Sequence, residues 1–411
     1  MVPKGWSRST LGEVATFKNG LNFNKADSGE SIKIVGVGDF KNLSELRNTE
    51  SLEFIQVEKR VSDEELLKSG DLLFVRSNGN KELIGRCLFF PNVSERLSYS
   101  GFTIRGRVNT QKILPEYASN LVREKHITQQ IFQYGGGTNI SNLSQQILSD
   151  LIFALPPLNE QEKITKILSV WEKSITTTEQ LLANSQQQKK ALMQKLLTGK
   201  VRLLDEDGVR FEGDWEHGRL DDLCTFKGGS AFKEEYQGNT EGDFPFIKVS
   251  DMNLCGNEKY IVHSNNWVTK ENTSLMKVKP FPADAVVFAK VGAALLLNRR
   301  RILSRPTIID NNMMAAIPTK SGNTMFIYQL MLAIDFAKFV QDGAVPSVNQ
   351  GDLAAFKISY PVIEEQRKIA EVLSAAEREI ALFQEKIDTL KVEKKALMQQ
   401  LLTGKRRVSI N

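Results

Sequence analysis

The sequence predicts an α+β protein written twice: two unlike mixed heads, each followed by a long helix, with the two helices paired antiparallel as a coiled coil and related by a pseudo-twofold internal repeat. Three observations carry this expectation. A helical segment recurs nearly unchanged, an opening motif recurs at a matching distance before it, and a heptad stripe runs through both copies of the helix.

The recurring segment is KKALMQKLLTGK at Lys189 to Lys200, which returns as KKALMQQLLTGK at Lys394 to Lys405. The match continues upstream through EQEKITKILS and EQRKIAEVLS. At the other end of each unit, Trp6, Leu11 and TFKNGLNF ending at Phe23 correspond to Trp215, Leu220 and TFKGGSAF ending at Phe232. The chain therefore consists of two halves of about 205 residues.

Within each half a mixed segment of about 150 residues runs to a proline break, Pro156-Pro157 or Pro361, and a long polar segment of helical period follows. In the mixed segments short apolar runs such as DLLFVR and AVVFAK alternate with Gly, Asn, Asp and Ser clusters, the pattern of short strands joined by turns, with a few helical stretches. The expected division is a first head at 1–157, a first helical spacer at 158–200, a linker at 201–213, a second head at 214–361 and a second spacer at 362–411.

A coiled-coil seam demands apolar side chains at alternating steps of four and three. The first spacer supplies Ile164, Leu168, Trp171, Ile175, Thr178, Leu182, Ser185, Lys189, Leu192 and Leu196. The second supplies Ile369, Leu373, Ala376, Ile380, Phe383, Ile387, Leu390, Lys394, Leu397 and Leu401 in the same register. Each helix closes on TGK, where Gly199 or Gly404 can take the left-handed conformation. A short stripe of this kind is usually a helix lying on its own core, but Glu160 to Leu197 would run about 57 Å at about 1.5 Å per residue, longer than a small domain can cover. The natural partner is the other copy. A parallel pair would force Thr198 to Asp214 back along the rod almost fully stretched, at about 3.5 Å per residue, whereas an antiparallel pair needs no return. Lys189 and Lys394, at matching seam positions, either fix register or bury their stems while their ammonium groups reach water.

With 411 residues, 41% hydrophobic and 25% charged, the chain has material for more than one core. A formal charge of +5, from 54 basic against 49 acidic residues, permits a polyanionic partner without demanding one. Cys87, Cys224 and Cys255 stand far apart and read as ordinary reduced thiols, with neither a disulfide framework nor a zinc site. MVPKGWSRST lacks the apolar core of a signal peptide and no run approaches the roughly 18 apolar residues of a membrane span, so a soluble cytoplasmic protein is expected.

Catalytic parts are missing. The two TGK triplets follow helices and do not form a GxxxxGK[ST] phosphate loop, and Gly135-Gly136-Gly137 lacks GxGxxG spacing and reads as a flexible turn. Pro156-Pro157 marks a domain edge and not an Asn-Pro-Pro-aromatic motif. His126, His217 and His263 have no metal-spaced neighbours, and no carboxylate pair can be placed for acid-base work.

The helices agree best between the copies and the heads diverge. The order head, helix, head, helix, with PPLNEQEKITKIL, PVIEEQRKIAEVL and the doubled LLTGK, resembles the specificity subunit of type I restriction-modification enzymes over essentially the whole chain. IKVSDMN at Ile247 to Asn253 and DLLFVRSNG at Asp71 to Gly79 are similar to segments of that family's target recognition domains. The resemblance implies that each head reads one half of an interrupted DNA sequence, that the helices set the spacing and dock two methyltransferase subunits, and that translocase-nuclease subunits join for restriction. It implies no cofactor in this chain, with S-adenosylmethionine, ATP and Mg on the partners. A rod of about 57 Å lies between one and two turns of B-DNA at about 34 Å per turn, so both heads could face one side of a duplex.

DNA affinity calls for Lys, Arg and small polar groups at phosphates, and specificity for Arg, Lys, Asn or Gln at base edges. In the first head VRSNGNKELIGR offers Arg76, Ser77, Asn78, Asn80, Lys81 and Arg86; in the second, Lys290, Asn298, Arg299, Arg300 and Arg301 occupy the corresponding region. The alternative is that these are solvated hairpin residues. Lys18 and Lys227, in the paired TFKNG and TFKGG motifs, suit backbone contacts, because two heads that read different bases should not do so with the same residue. Two other readings compete with the specificity subunit: a coiled-coil scaffold that never reads DNA, and a stand-alone restriction or modification enzyme, for which the chain has no spare residues.

Overall fold

A computed structural model of the chain describes residues 2–23, 29–40, 43–58, 60–134, 142–340 and 346–409. The Gly135-Gly136-Gly137 run lies outside them. Two compact units divide the chain, Met1–Glu179 with Glu385–Asn411, and Gln180–Gln384.

In the first unit an antiparallel four-stranded sheet runs in the order Ala15–Asn19, Thr103–Val108, Leu72–Val75, Cys87–Phe89. A three-stranded sheet pairs Glu30–Val35 antiparallel to Phe54–Val57 and parallel to Leu97–Tyr99. The run DLLFVR is apolar without alternation because its strand is buried on both faces. Leu72 and Phe74 enter the core beneath the long helix, whereas Leu73 and Val75 enter the core that also holds Val35 and Leu97 of the smaller sheet. Ser7–Thr10 pairs with Ile152–Leu155 and brings the start of the head to its end.

The second unit repeats this build. Its larger sheet has the order Cys224–Gly228, Met313–Pro318, Val286–Ala289, Arg301–Leu303, Tyr260–Ile261, and its smaller one the order Trp267–Val268, Phe244–Ile247, Ile308–Ile309. Val286 and Phe288 face the helix-side core and Val287 the inter-sheet core. Glu216–Arg219 pairs with Lys357–Tyr360 as the matching closure.

The glycine that ends TFKNG and TFKGG has a steric reason. A Cβ on Gly20 would lie 2.2 Å from the Ser100 carbonyl oxygen, and one on Gly229 would lie 2.0 Å from that of Asp310. Both contacts are to backbone, so no side chain can swing aside. Gly229→Ala is expected to destabilise the protein by about 2–3 kcal/mol, read as a lowered unfolding midpoint, while alanine at the unencumbered Gly38 leaves it within about 0.5 kcal/mol.

The long helices are Leu158–Leu196 and Ile363–Leu402. Gly199 and Gly404 adopt φ of 69° and 68°, closing each helix as the TGK motif suggests. In each unit the helical segments run antiparallel. In the first, Glu172 pairs with Lys394 and Glu179 with Lys391 at 2.7 Å; in the second, Lys189 pairs with Glu377 at 2.8 Å and Arg202 with Glu365 at 2.6 Å. As one number rises its partner's falls. All twenty seam positions are buried or half-buried. The helix ends also serve the heads: Ile164, Leu168, Leu397 and Leu401 complete the first core, and Ile369, Leu373 and Leu196 the second. Lys189 and Lys394 are paired rather than merely reaching water, each with a glutamate of the opposed segment at the same place in its own copy.

Glu377 also accepts from Lys259 and Gln329, both on the second head, at 2.7 and 2.9 Å. Burial pushes its carboxyl up, but the bonds from Lys189, Lys259 and Gln329 outweigh burial and hold it below the ordinary glutamate value. A carboxyl lowered in the folded state contributes stability above its unfolded value of about 4.3 and loses it as pH falls through the folded value. Acidification below about pH 4 should therefore loosen the second unit, and Glu377→Gln should flatten that part of a stability-against-pH curve; an unchanged acid limb contradicts the pairing.

An additional device joins each head to its helices. Glu160, buried, accepts from Trp6 Nε1 at 2.9 Å and from Arg407 Nε and Nη2 at 2.7 and 2.8 Å. Glu365 is held likewise by Trp215 Nε1 at 3.3 Å and Arg202 Nε and Nη2 at 2.6 and 2.7 Å. The next residue is equally engaged: Gln161 accepts from Leu114 N and donates to Pro156 O, as Gln366 does with Asn323 N and Pro361 O. This explains why EQ stands in both copies. Among the described residues no helix is long and apolar enough to cross a membrane.

Candidate nucleic-acid interface

Sheet register gathers the cations of each head at one end of its larger sheet. Asn19 lies opposite Ile104, and Val75 opposite Thr103, so the strands carrying Lys18 and Arg76 terminate at the same edge. Cys87 lies opposite Phe74, which places Arg86 there too. In the second head Gly228 opposite Met314 and Ala289 opposite Met313 bring Lys227 and Lys290 to the corresponding edge.

The two edges correspond residue by residue. Arg76 N donates to Phe102 O at 2.8 Å and Lys290 N to Asn312 O at 2.9 Å. The carbonyl of Arg76 accepts from Leu143 N, and that of Lys290 from Val348 N. Because Val287 lies opposite Arg301, Arg300 falls in step with Cys87 and Arg299 with Arg86. Three cationic positions are thus common to both heads: Lys18 and Lys227, Arg76 and Lys290, Arg86 and Arg299.

Their surroundings differ. Lys18 makes a 3.2 Å ion pair with exposed Glu64, a contact that water screens and a phosphate can displace. Lys227 is exposed, with Nζ 5.9 Å from the Phe281 ring centre. Arg76 is half-buried and reaches Gly101 O at 3.4 Å. Ser77 and Asn78 follow it, half-buried; Asn78 Oδ1 accepts from Asn80 N, and Asn80 Oδ1 from Glu82 N, ordering the turn that carries Lys81. Lys248, which sequence reasoning passed over, lies with its Nζ 5.4 Å from the Phe232 ring centre. Asp310 sits near Lys248 and Lys290, and burial pushes its carboxyl upward.

The second arginine cluster is not the uniform basic surface that its sequence suggests. Arg300 is 1% exposed, its guanidinium 3.5 Å from the Phe336 ring centre and also over Phe288. It cannot meet DNA. Its Nη2 donates to Asn298 Oδ1 at 2.6 Å and Nη1 to Arg299 O at 3.0 Å, and burial lowers its pKa to about 9. Asn298 is likewise engaged within the protein, through Phe336 N and Ile334 O. Arg301 is half-buried and donates to Arg300 O and Met252 O. Arg299 is exposed and bonded to Asn253, which leaves it as the outward member of the run. Charge reads as surface in a sequence; only the rings of Phe288 and Phe336, distant in the chain, show otherwise.

IKVSDMN has a structural part as well. Asp251 is buried and accepts from Lys248 N and from Asn265 N and Nδ2, fixing the turn after Ile247. Asp39 does the same for Gly36 N in the first head. DLLFVRSNG opens on buried Asp71, which holds Arg107 through two bonds of 2.8 and 2.6 Å. Cys87 and Cys224 are buried free thiols, both pushed up to about 12 by burial, and Cys255 is an exposed free thiol. His217 Nδ1 lies 2.8 Å from Ser359 Oγ on the closing strand pair. Among the described residues no group of His, Cys, Asp and Glu is placed to hold a metal ion.

Comparison with known proteins agrees with this build. The type I restriction modification DNA specificity domain matches residues 3–184 and again 212–392, and the chain belongs to that family. It is 28% identical to the "Putative type I restriction enzyme MjaX specificity subunit" of Methanocaldococcus jannaschii, over 99% of this chain and 95% of the relative. It is 25% identical to the type I restriction enzyme StySPI specificity subunit of Salmonella potsdam, over 48% of this chain and 43% of that one. Its fold is similar to the HsdS subunit from Thermoanaerobacter tengcongensis, with TM-score 0.52 and 18% identity over 98% of both chains. A chain from a structure on complex assembly and conformational transition of the type I R-M system gives TM-score 0.63 and 19% identity, over 99% of this chain and all of that one.

Proposed function

We propose that this chain is the DNA sequence-specificity subunit of a type I restriction-modification complex, working in the cytoplasm and carrying no catalytic centre of its own. The target recognition domains, 1–157 and 214–361, each read one half of a bipartite DNA target, and the paired helices set the spacing and dock two methyltransferase subunits. Translocase-nuclease subunits join for restriction. S-adenosylmethionine, ATP and Mg belong to those partners.

The observation that carries this reading is the pair of unlike heads on one frame, each with cations at three matching positions on one sheet end. Matched cations suit the phosphate backbone, which is the same in both half-sites, while the unlike residues between them suit different bases. Helix positions turned away from the seam support the docking role: Val170 and Val392 in the first unit, and Leu181 and Leu382 in the second, are exposed apolar side chains.

Exchange of Trp215–Tyr360 for the corresponding head of a relative, followed by sequencing of methylated sites, should change one half-site and leave the other. An unchanged target rejects the reading. Native mass spectrometry of the co-expressed subunits should give two methyltransferase subunits per chain, and one would reject symmetric docking.

A further inference from the structure

The segment between Ala289 and Arg301 of the second head is built as a braced projection. Val291 bridges to Ser347 and Gly292 N donates to Pro346 O at 2.8 Å, which pins its base. Leu295, 1% exposed, anchors it in the core. At its far side Asn298 takes a left-handed φ of 53°, and its amide is bonded to Arg300, Phe336 N and Ile334 O.

The brace is costly. Arg300 is withdrawn from water, and among the described residues no carboxylate is bonded to it and its Nε has no hydrogen-bond partner. Its hydrogen bonds among the described residues go to Asn298 and Arg299, the residues that end the projection. A buried cation spent on a surface turn indicates that the shape of the turn matters.

What the turn displays is apolar. Leu296 and Leu297 are adjacent, 52% and 57% exposed, between Lys290 and Arg299, two of the cationic positions common to both heads. The matching segment of the first head, between Arg76 and Arg86, carries Asn78, Asn80 and Lys81 instead, and its apolar residues Leu83 and Ile84 are half-buried. Flanking cations direct such a tip toward a polyanion. Apolar side chains that enter DNA between stacked bases, with basic residues holding the phosphates on either side, are an established way to distort a duplex and to recognise steps that distort easily.

We propose that Leu296 and Leu297 form an apolar wedge that the second head presses into a base step of its half-site, with Arg300 as the positioning residue that holds the wedge outward. This rests on the reading of the heads as DNA recognition domains. The two heads then read differently, the first through polar groups and the second partly through deformability of its step.

The test uses the chain co-expressed with its methyltransferase partners, a duplex bearing the target found by methylome sequencing, and 2-aminopurine placed in turn at each step of the second half-site. The wild-type complex should raise fluorescence at one step. Leu296→Ala with Leu297→Ala should abolish that rise and weaken target binding about 10-fold or more, with binding to random duplex changed less than about 2-fold. A double variant that keeps wild-type fluorescence and affinity overturns the wedge, and so does one that fails to assemble with the methyltransferase, since the leucines would then be a protein contact. Absence of any target preference in the wild-type complex instead overturns the DNA reading on which the wedge depends.

Discussion

Arg202→Ala should lower the stability of the protein by about 3 kcal/mol, because it leaves the fully buried Glu365 carboxylate with only the long Trp215 indole bond. For a unit of this size that corresponds to a fall in melting temperature of roughly 6–12 °C. Arg202 is itself 18% exposed, so solvent screens little of the loss. Arg202→Lys should recover only part of it, since an ammonium cannot make both parallel bonds that the guanidinium makes to Glu365 Oε1 and Oε2. A melting curve within 1 °C of wild type for the alanine variant would show that the triad contributes nothing.

Removal of the first head's three shared cations, Lys18→Ala with Arg76→Ala and Arg86→Ala, should weaken DNA binding by the assembled complex roughly 100-fold. It should also make the slope of log K against log salt shallower by about 2.7, at about 0.9 per phosphate contact. The base preference of the second half-site should survive. If affinity falls while the salt slope is unchanged, these residues do not sit at phosphates. The same substitutions should leave thermal stability nearly intact, since each side chain is partly solvated and the Lys18–Glu64 pair is a surface contact.

The repeat, the antiparallel helix pairing and the glycine helix ends were legible in the sequence because each rests on short-range rules: near identity, heptad spacing, and the tolerance of glycine for positive φ. The sheets were not. Glu30–Val35 pairs in parallel with Leu97–Tyr99 across some sixty residues, and nothing local to either strand announces the other. Arg300 was misplaced for a related reason, since its aromatic cover comes from Phe288 and Phe336, on different elements. The Trp–Glu–Arg triads could have been found, however. Trp6 and Trp215, Glu160 and Glu365, Arg407 and Arg202 all hold matching places in the repeat, and Arg407 and Arg202 each follow the helix-closing glycine by three residues. Matched residues outside the seam are the signal that the sequence holds for them.

The first unit is closed by residues that follow the second head: Arg407 meets Glu160 and the Lys4 carbonyl, and Leu401 and Leu402 fill the core around Trp6. During synthesis the first head therefore leaves the ribosome before the second, yet cannot seal until Arg407 has been translated. Its unfinished apolar face waits through the making of everything in between, and closing so long a loop is entropically slow. The usual order, in which early modules finish early, is reversed here, and the nascent protein has an interval in which a chaperone would be most needed at the module that was made first.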